Sequence, residues 1–147
     1  MMRQDKTSRR DLLRFGAAVA ACACAGCEVP AAREPDVVAD PAQGVIRLTK
    51  AQSAALLASE GSLLVKPKGL RDKILVVHHT DGTLHAVSAT CTHMGCTVDY
   101  NKDKGYMVCP CHGSEFAWDG KVLHGPANRP LKQYTVTTDN GQVLIQV

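Results

Sequence analysis

The sequence predicts a small all-β domain, an antiparallel sandwich or partly open barrel with one short helix. Short apolar runs recur from Gly44 onward, and the pairs Asp81-Gly82, Asp119-Gly120 and Asn140-Gly141 separate several of them. Glycine supplies the positive φ that tight hairpin turns need, so each pair predicts a hairpin. Short strands with recurring turns are typical of antiparallel β domains.

The predicted elements follow one another along residues 44–147. Residues 45–48 alternate weakly and predict a first strand. Residues 50–59 are the one helix-like stretch, with Thr49 available as its N-cap. The other predicted strands are apolar runs at 63–65, 74–77, 83–87, 106–108, 116–118, 121–123, 134–136 and 143–145.

The first 27 residues differ in charge from the rest of the chain. They carry five Lys and Arg against two Asp, whereas residues 28–147 carry 12 basic and 12 acidic residues. The net charge of +3 therefore belongs to the N-terminal segment. A balanced body does not suit nucleic-acid binding, which needs a clustered basic face.

Residues 7–14 read TSRRDLLR and resemble the twin-arginine export signal. The apolar run at 15–26 is shorter than the roughly 20 residues of a membrane span, but it suits the core of a signal peptide. Segment 1–27 is therefore predicted to be a twin-arginine-type signal or anchor, which places the domain on the periplasmic side of a bacterial membrane. Lipidation at Cys22 or Cys27 would add a membrane tether. Plain cleavage, an uncleaved anchor and an ordinary amphipathic helix are the alternatives.

Residues 28–43 are predicted to be a Pro/Ala-rich linker. They read EVPAAREPDVVADPAQ and show neither a helical nor a strand period. A flexible coil of this length would span roughly 20–25 Å and an extended chain about 50 Å. That reach suits a tethered domain that travels between an electron donor and an acceptor, and it also suits a passive spacer.

Two short segments, 91–96 and 109–114, carry the residues with metal-binding chemistry. They read CTHMGC and CPCHGS, and residues 44–147 contain no other cysteine. Each segment offers one cysteine and one histidine close together, plus a further cysteine. Tetrahedral zinc is the rival, but zinc sites usually use cysteines two to four residues apart and would not need Cys96 and Cys111.

The two segments resemble the cluster-binding boxes of Rieske iron–sulfur proteins, of the disulfide-bearing type found in cytochrome bc-like complexes. The resemblance implies one [2Fe-2S] cluster in a Rieske domain at 44–147. Its implied ligands are two cysteines on one iron and two histidines on the other. They are Cys91, Cys109, His93 and His112.

The resemblance also assigns roles to the surroundings of the cluster. It implies a disulfide between Cys96 and Cys111 across the two loops, and a hydrogen bond from Ser114 to a bridging sulfide. Met94 would line the docking tip. Gly125 and Pro126 begin a proline loop, residues 125–130, that would cover the cluster's third side.

Phe116 stands where high-potential relatives carry a tyrosine whose hydroxyl donates to a ligand sulfur. The missing donor predicts a moderately lowered potential, suited to menaquinol or a non-quinone donor. Tyr100 or Tyr106 is an alternative source of that hydroxyl. Three other histidines, His78, His79 and His85, are predicted to be strand residues, and the surface is favoured for the fourth, His124.

The resemblance implies one-electron transfer, with the chain acting as a subunit of an oxidoreductase complex rather than a stand-alone enzyme. The favoured complex is a quinol-oxidising cytochrome bc-like assembly with cytochromes b and c, in which His112 contacts quinol and takes its proton. The alternatives are the Rieske small subunit of a periplasmic molybdenum oxidase of the arsenite oxidase type, and a free periplasmic carrier. An aromatic-ring oxygenase is excluded, because residues 44–147 cannot also hold a non-heme iron domain.

Overall fold

The computed structural model describes residues 33–58 and 61–147. These residues form three open β-sheets and one helix, α1 (Lys50–Ala58), so the predicted all-β class is confirmed. The strands are β1 (Val37–Ala39), β2 (Val45–Arg47), β3 (Gly61–Pro67), β4 (Ile74–His78), β5 (Leu84–Ser88), β6 (Asp99–Asn101), β7 (Tyr106–Val108), β8 (Glu115–Phe116), β9 (Val122–His124), β10 (Gln133–Tyr134), β11 (Val136–Asp139) and β12 (Gln142–Gln146).

A five-stranded base sheet with the order β1-β3-β4-β5-β10 lies between two smaller sheets. One is the three-stranded sheet β11-β12-β2. The other is the four-stranded sheet β6-β7-β8-β9, called here the cluster sheet, because the segment 109–114 connects β7 to β8. The predicted hairpins β4–β5, β8–β9 and β11–β12 all form, and their turn glycines have positive φ.

Strand β4 is buried on both faces and joins two hydrophobic cores. Leu75 and Val77 pack in the core shared with the cluster sheet, whereas Ile74 and Val76 pack against α1 and the three-stranded sheet. All four side chains are fully buried. Alternate side chains of a strand point to opposite faces, so a continuous apolar run is what a central strand covered on both sides requires.

Helix α1 begins at the predicted cap. The Gln52 backbone N–H donates to Thr49 Oγ1 (3.3 Å), and the Thr49 backbone N–H donates to Gln52 Oε1 (2.9 Å). This reciprocal pair is a capping box, which satisfies two N–H groups at the helix start. Among the described residues, no helix is long and apolar enough to cross a membrane.

The structure differs from the predicted linker 28–43 in its second half. Val37–Ala39 forms β1, which pairs in parallel with β3 at the edge of the base sheet. Arg33 forms ion pairs with Asp99 of β6 and with Asp36, the latter at 2.5 Å. The Leu64 N–H also donates to Asp36 (2.7 Å). Residues 33–39, which the predicted linker includes, therefore contact the domain. The predicted signal at 1–27 and the rest of the linker lie outside the described residues.

Candidate metal centre

The segments 91–96 and 109–114 fold into two turns with the same backbone hydrogen bonds. The Cys91 N–H donates to the Cys96 carbonyl (2.8 Å), and the Gly95 N–H donates to the Cys91 carbonyl (2.9 Å). In the second turn, the Cys109 N–H donates to the Ser114 carbonyl (2.8 Å), and the Gly113 N–H donates to the Cys109 carbonyl (3.0 Å). Each turn thus binds its first residue to its fifth and sixth.

Both turns need glycine at the fifth position. Gly95 has φ 76° and Gly113 has φ 72°, in the left-handed region that side chains other than glycine rarely adopt. A Cβ would meet no other atom at either position, so the requirement lies in the backbone rather than in space. The sequence identified both segments but not this repeated geometry.

The predicted ligands form two pairs, one buried and one exposed. The thiols of Cys91 and Cys109 lie in the hydrophobic core, 3% and 1% exposed, and are hydrogen-bonded to each other. The rings of His93 and His112 lie at the surface, with their centroids 4.9 Å apart and their planes nearly perpendicular. The fold therefore brings together all four residues that the sequence singled out.

The environment of Cys109 favours a thiolate only in part. Burial raises the pKa of its thiol, and the adjacent Cys91 raises it further. Against this, the backbone N–H groups of Cys111 and His112 donate to the sulfur and lower the pKa. A positively charged iron centre would supply the remaining stabilisation, because thiolates are the form that binds metal.

A disulfide joins the two turns. Cys96 and Cys111 are bonded, with an S–S distance of 2.05 Å and 6.4 Å between their Cα atoms, while Cys91 and Cys109 are free thiols. The expected pairing of the surplus cysteines is present. The bridge fixes the second turn against the first, and with it the two histidine rings that the turns carry.

Within residues 33–58 and 61–147, no group of three or more His, Cys, Asp or Glu side chains lies close enough to hold a single metal ion. The four candidate ligands lie instead as a thiol pair and an imidazole pair. A Rieske [2Fe-2S] centre takes two cysteines on one iron and two histidines on the other. The donor set and its division into pairs fit that cluster.

The proline loop, residues 125–130, is bonded to both turns. The Ala127 N–H donates to Ser114 Oγ (3.0 Å), and Thr92 Oγ1 donates to the Arg129 carbonyl (2.7 Å). Gly125 and Pro126 begin this loop, as expected, and are exposed. The sequence reasoning missed Thr92 and Ala127. A hydroxyl between two predicted ligands was the available signal for Thr92, whereas nothing local marks Ala127.

Two of the side chains predicted to surround the cluster, Ser114 and Phe116, are buried. Ser114 is fully buried and accepts a hydrogen bond from Ala127, so its own hydroxyl hydrogen is left to donate. Phe116 is fully buried in the core that contains Cys91 and Cys109. A ring without a hydroxyl therefore packs in the same core as the thiols.

The two tyrosines named as alternative donors differ in position. Tyr106 donates its hydroxyl hydrogen to Glu115 Oε1 (3.1 Å), so that hydrogen already has an acceptor. Tyr100 is 9% exposed and packs in the core with the thiol pair. Met94, expected at the tip, is 67% exposed, and His124 is exposed at the end of β9.

Comparisons with known proteins agree with this geometry. The family profile of the Rieske [2Fe-2S] domain matches residues 49–135. The cytochrome b6-f complex iron-sulfur subunit of Chlorobaculum tepidum is 45% identical over 76 residues, which are 52% of this chain and 41% of that protein. The cytochrome b6-f complex iron-sulfur subunit 3 of Nostoc sp. is 35% identical over 130 residues, which are 88% of this chain and 62% of that protein.

A solved structure shows the same fold. The cyanobacterial plasma membrane Rieske protein PetC3 from Synechocystis PCC 6803 superimposes with a TM-score of 0.57 and 40% sequence identity. The match covers 63% of this chain and 93% of that one. The chain spans about two fifths of the length of the Chlorobaculum subunit, so the match concerns the domain rather than the whole of that protein.

Proposed function

Because the chain belongs to the Rieske [2Fe-2S] family and carries that family's cluster, we propose that it passes single electrons as the iron–sulfur subunit of a quinol-oxidising cytochrome bc-type complex. The observation that carries the proposal is the difference in exposure between the two ligand pairs. The thiol pair is buried and the imidazole pair is exposed. A redox partner therefore meets the histidine side of the centre first.

The site residues have two roles, to bind the cluster and to contact the redox partner. When bound, the cluster supplies a one-electron couple. Cys91 and Cys109 would hold one iron, and His93 and His112 the other. A ligating imidazole has a second ring nitrogen that can exchange a proton. His112 is exposed, so we propose that its second nitrogen accepts a hydrogen bond and a proton from quinol.

The hydrogen bonds around the site support a moderately lowered potential. A donor to a cluster sulfur stabilises the reduced, more negative form. Ser114 has a hydroxyl hydrogen left for that role, but Phe116 has none, and Tyr106 is engaged by Glu115. Tyr100 packs in the same core as the thiols and stays the alternative source of that hydroxyl. On the lack of a hydroxyl at Phe116 we propose menaquinol or a non-quinone donor.

The proposal also covers the partner subunits and the cellular location of the protein. The relatives named above are subunits of cytochrome b6-f complexes, and PetC3 is a plasma membrane protein. We propose cytochrome b and c-type subunits as partners, export by the twin-arginine segment 1–27, and a membrane tether there or at a lipidated Cys22 or Cys27. In sequence, residues 28–32 follow this segment and precede the part of the chain that the structure describes.

Purification from detergent-solubilised membranes tests the choice of complex. Haem spectra of b- and c-type cytochromes in the same fraction are the expected result. Stoichiometric molybdenum in that fraction would replace this proposal with the molybdenum-oxidase reading, which no relative named above supports. A protein isolated without partners would point to a free carrier.

Substitution of single ligands tests the site itself. Cys109→Ser and His112→Gln are expected to abolish the EPR signal of the dithionite-reduced [2Fe-2S] centre. His124→Gln is the matched control, because that histidine is exposed on β9 and lies outside both turns. A signal retained in both ligand variants, or stoichiometric zinc in the wild type, would contradict the assignment.

A further inference from the structure

Trp118 contacts two histidines beside the β4–β5 turn. Its ring centroid is 5.1 Å from that of His79 and 4.2 Å from that of His85. His85 lies on β5, whose far end leads to the first cluster turn, and Trp118 follows β8, which leads away from the second. The three rings therefore join the base sheet to the cluster sheet. The sequence had placed His79 in a strand, but it lies just after β4.

A carboxylate and a hydroxyl hold His85 in one tautomer. Thr83 Oγ1 donates its single hydrogen to Asp81 Oδ1 (2.5 Å) and lies 2.8 Å from His85 Nε2. Since the hydroxyl has no second hydrogen, it accepts from Nε2, which must carry the proton. The other ring nitrogen, Nδ1, is then the basic atom of neutral His85.

The turn that carries Trp118 fits closely against the base sheet. Gln133 Nε2 donates to the Asp119 carbonyl (2.6 Å), and the Leu131 N–H donates to the Gly120 carbonyl (2.9 Å). A Cβ at Gly120 would lie 3.2 Å from Leu131 and 3.3 Å from Val87. The contact is thus a fitted junction between two sheets, not a loose surface pairing.

We propose that His79, His85 and Trp118 form a pH-responsive clamp that fastens the cluster sheet to the base sheet and thereby positions the second cluster turn. The three are positioning residues, since none of them touches the ligands. The connection to the centre is short, because β8 begins directly after residue 114 and Trp118 follows it by two residues. The proposal rests on the family's cluster but not on which complex the protein serves.

The charges that face His85 set the direction of the response. They are Asp81 and His79 from the β4–β5 turn and Asp119 from the β8–β9 turn, the last paired with Lys121 at 2.7 Å. Burial lowers the pKa of His85, and this effect outweighs the two aspartates, whose negative charges raise it. Thr83 lowers the pKa of Asp81 to about 2, so Asp81 stays ionised wherever histidine titrates.

The sign follows from linkage. A histidine whose pKa is lower in the folded state takes up its proton more readily when the clamp is open. The contact of His85 with Trp118 is therefore at full strength above the ordinary histidine pKa of about 6.5 and weakens as the pH falls through that value. His79 Nδ1 lies 3.3 Å from Asp81 Oδ1, a contact that protonation of His79 would strengthen, so the loosening is assigned to His85. Mild acid is expected to loosen the β8–β9 hairpin.

Amide hydrogen exchange of the cluster-loaded protein, followed by mass spectrometry, tests this. In the wild type, protection of the peptide 117–124, corrected for intrinsic exchange, is expected to fall about two-fold or more between pH 7.5 and 5.5 relative to β12. His85→Gln is expected to remove that difference and His124→Gln, the control on β9, to keep it. The same pH dependence in wild type and His85→Gln would overturn the clamp.

The unmodified protein gives a second readout, which holds even if a variant fails to fold. Trp118 is the only tryptophan of the chain, so its fluorescence reports this contact alone. Its emission is expected to titrate with a midpoint below the ordinary histidine value. Emission that is constant between pH 5 and 7.5 would refute the proposal. Loss of the EPR signal in the wild type would instead count against the cluster, so the two failures are distinguishable.

Discussion

Replacing Phe116 with tyrosine is expected to raise the midpoint potential of the cluster by roughly 60 mV. The ring is fully buried in the core that contains both ligand thiols, so a new hydroxyl has no access to water. A hydrogen bond to a charged acceptor contributes about 1.5 kcal/mol at the low end, which corresponds to roughly 60 mV for one electron. The reduced cluster carries the greater negative charge and gains more from the donor.

Potentiometric titration at fixed pH, followed by circular dichroism or EPR, measures this shift. Tyr106→Phe is the matched control, because it removes a hydroxyl whose partner is Glu115, and its potential is expected to stay near that of the wild type. Thermal unfolding of Phe116→Tyr adds a check, since a buried hydroxyl without a partner costs about 1–3 kcal/mol. A variant with an intact cluster and an unchanged or lower potential would refute the reasoning.

Three further substitutions test the framework of the site. Ser114→Ala removes the acceptor of the Ala127 N–H, and is expected to lower the free energy of unfolding by about 1–3 kcal/mol and to lower the potential; an unchanged melting temperature would contradict the first effect. Gly113→Ala places a side chain at φ 72° in open space, so denaturant titration should show a cost of about 1–2 kcal/mol from the backbone alone. Arg33→Gln breaks the pair with Asp99, and the half-exposed contact predicts a loss of about 1 kcal/mol or less that shrinks in high salt; a loss independent of salt would argue for packing instead.

The sequence predicted local features of the fold well because their signals lie within a few residues. Each hairpin turn was marked by a glycine whose positive φ the turn requires, and α1 was marked by Thr49, which caps it. The short strand β1 was missed for the opposite reason. Three residues show no measurable period, and the partner strand β3 lies more than 20 residues away.

The site shows the same division between local and long-range information. The ligand types and the surplus cysteines could be read from two hexapeptides, and the structure confirms the disulfide. The bonds from the proline loop to Thr92 and Ser114 span 37 and 13 residues and have no sequence pattern. The stacking of Trp118 on His85 likewise joins distant segments, so the aromatic contact could not be predicted.

The shared backbone of the two turns also bears on how such a centre could be engineered. Both hexapeptides close with the same pair of hydrogen bonds, and both have cysteine in the first place and glycine in the fifth. Histidine occupies the third place in one hexapeptide and the fourth in the other. Each hexapeptide thus offers one cysteine and one histidine, so the difference between the two irons would follow from the ligand types and not from a difference in the main chain. A graft of this centre onto another scaffold would therefore need two turns with glycine in the fifth place, together with the core that buries the thiols and the loop that bonds to both turns.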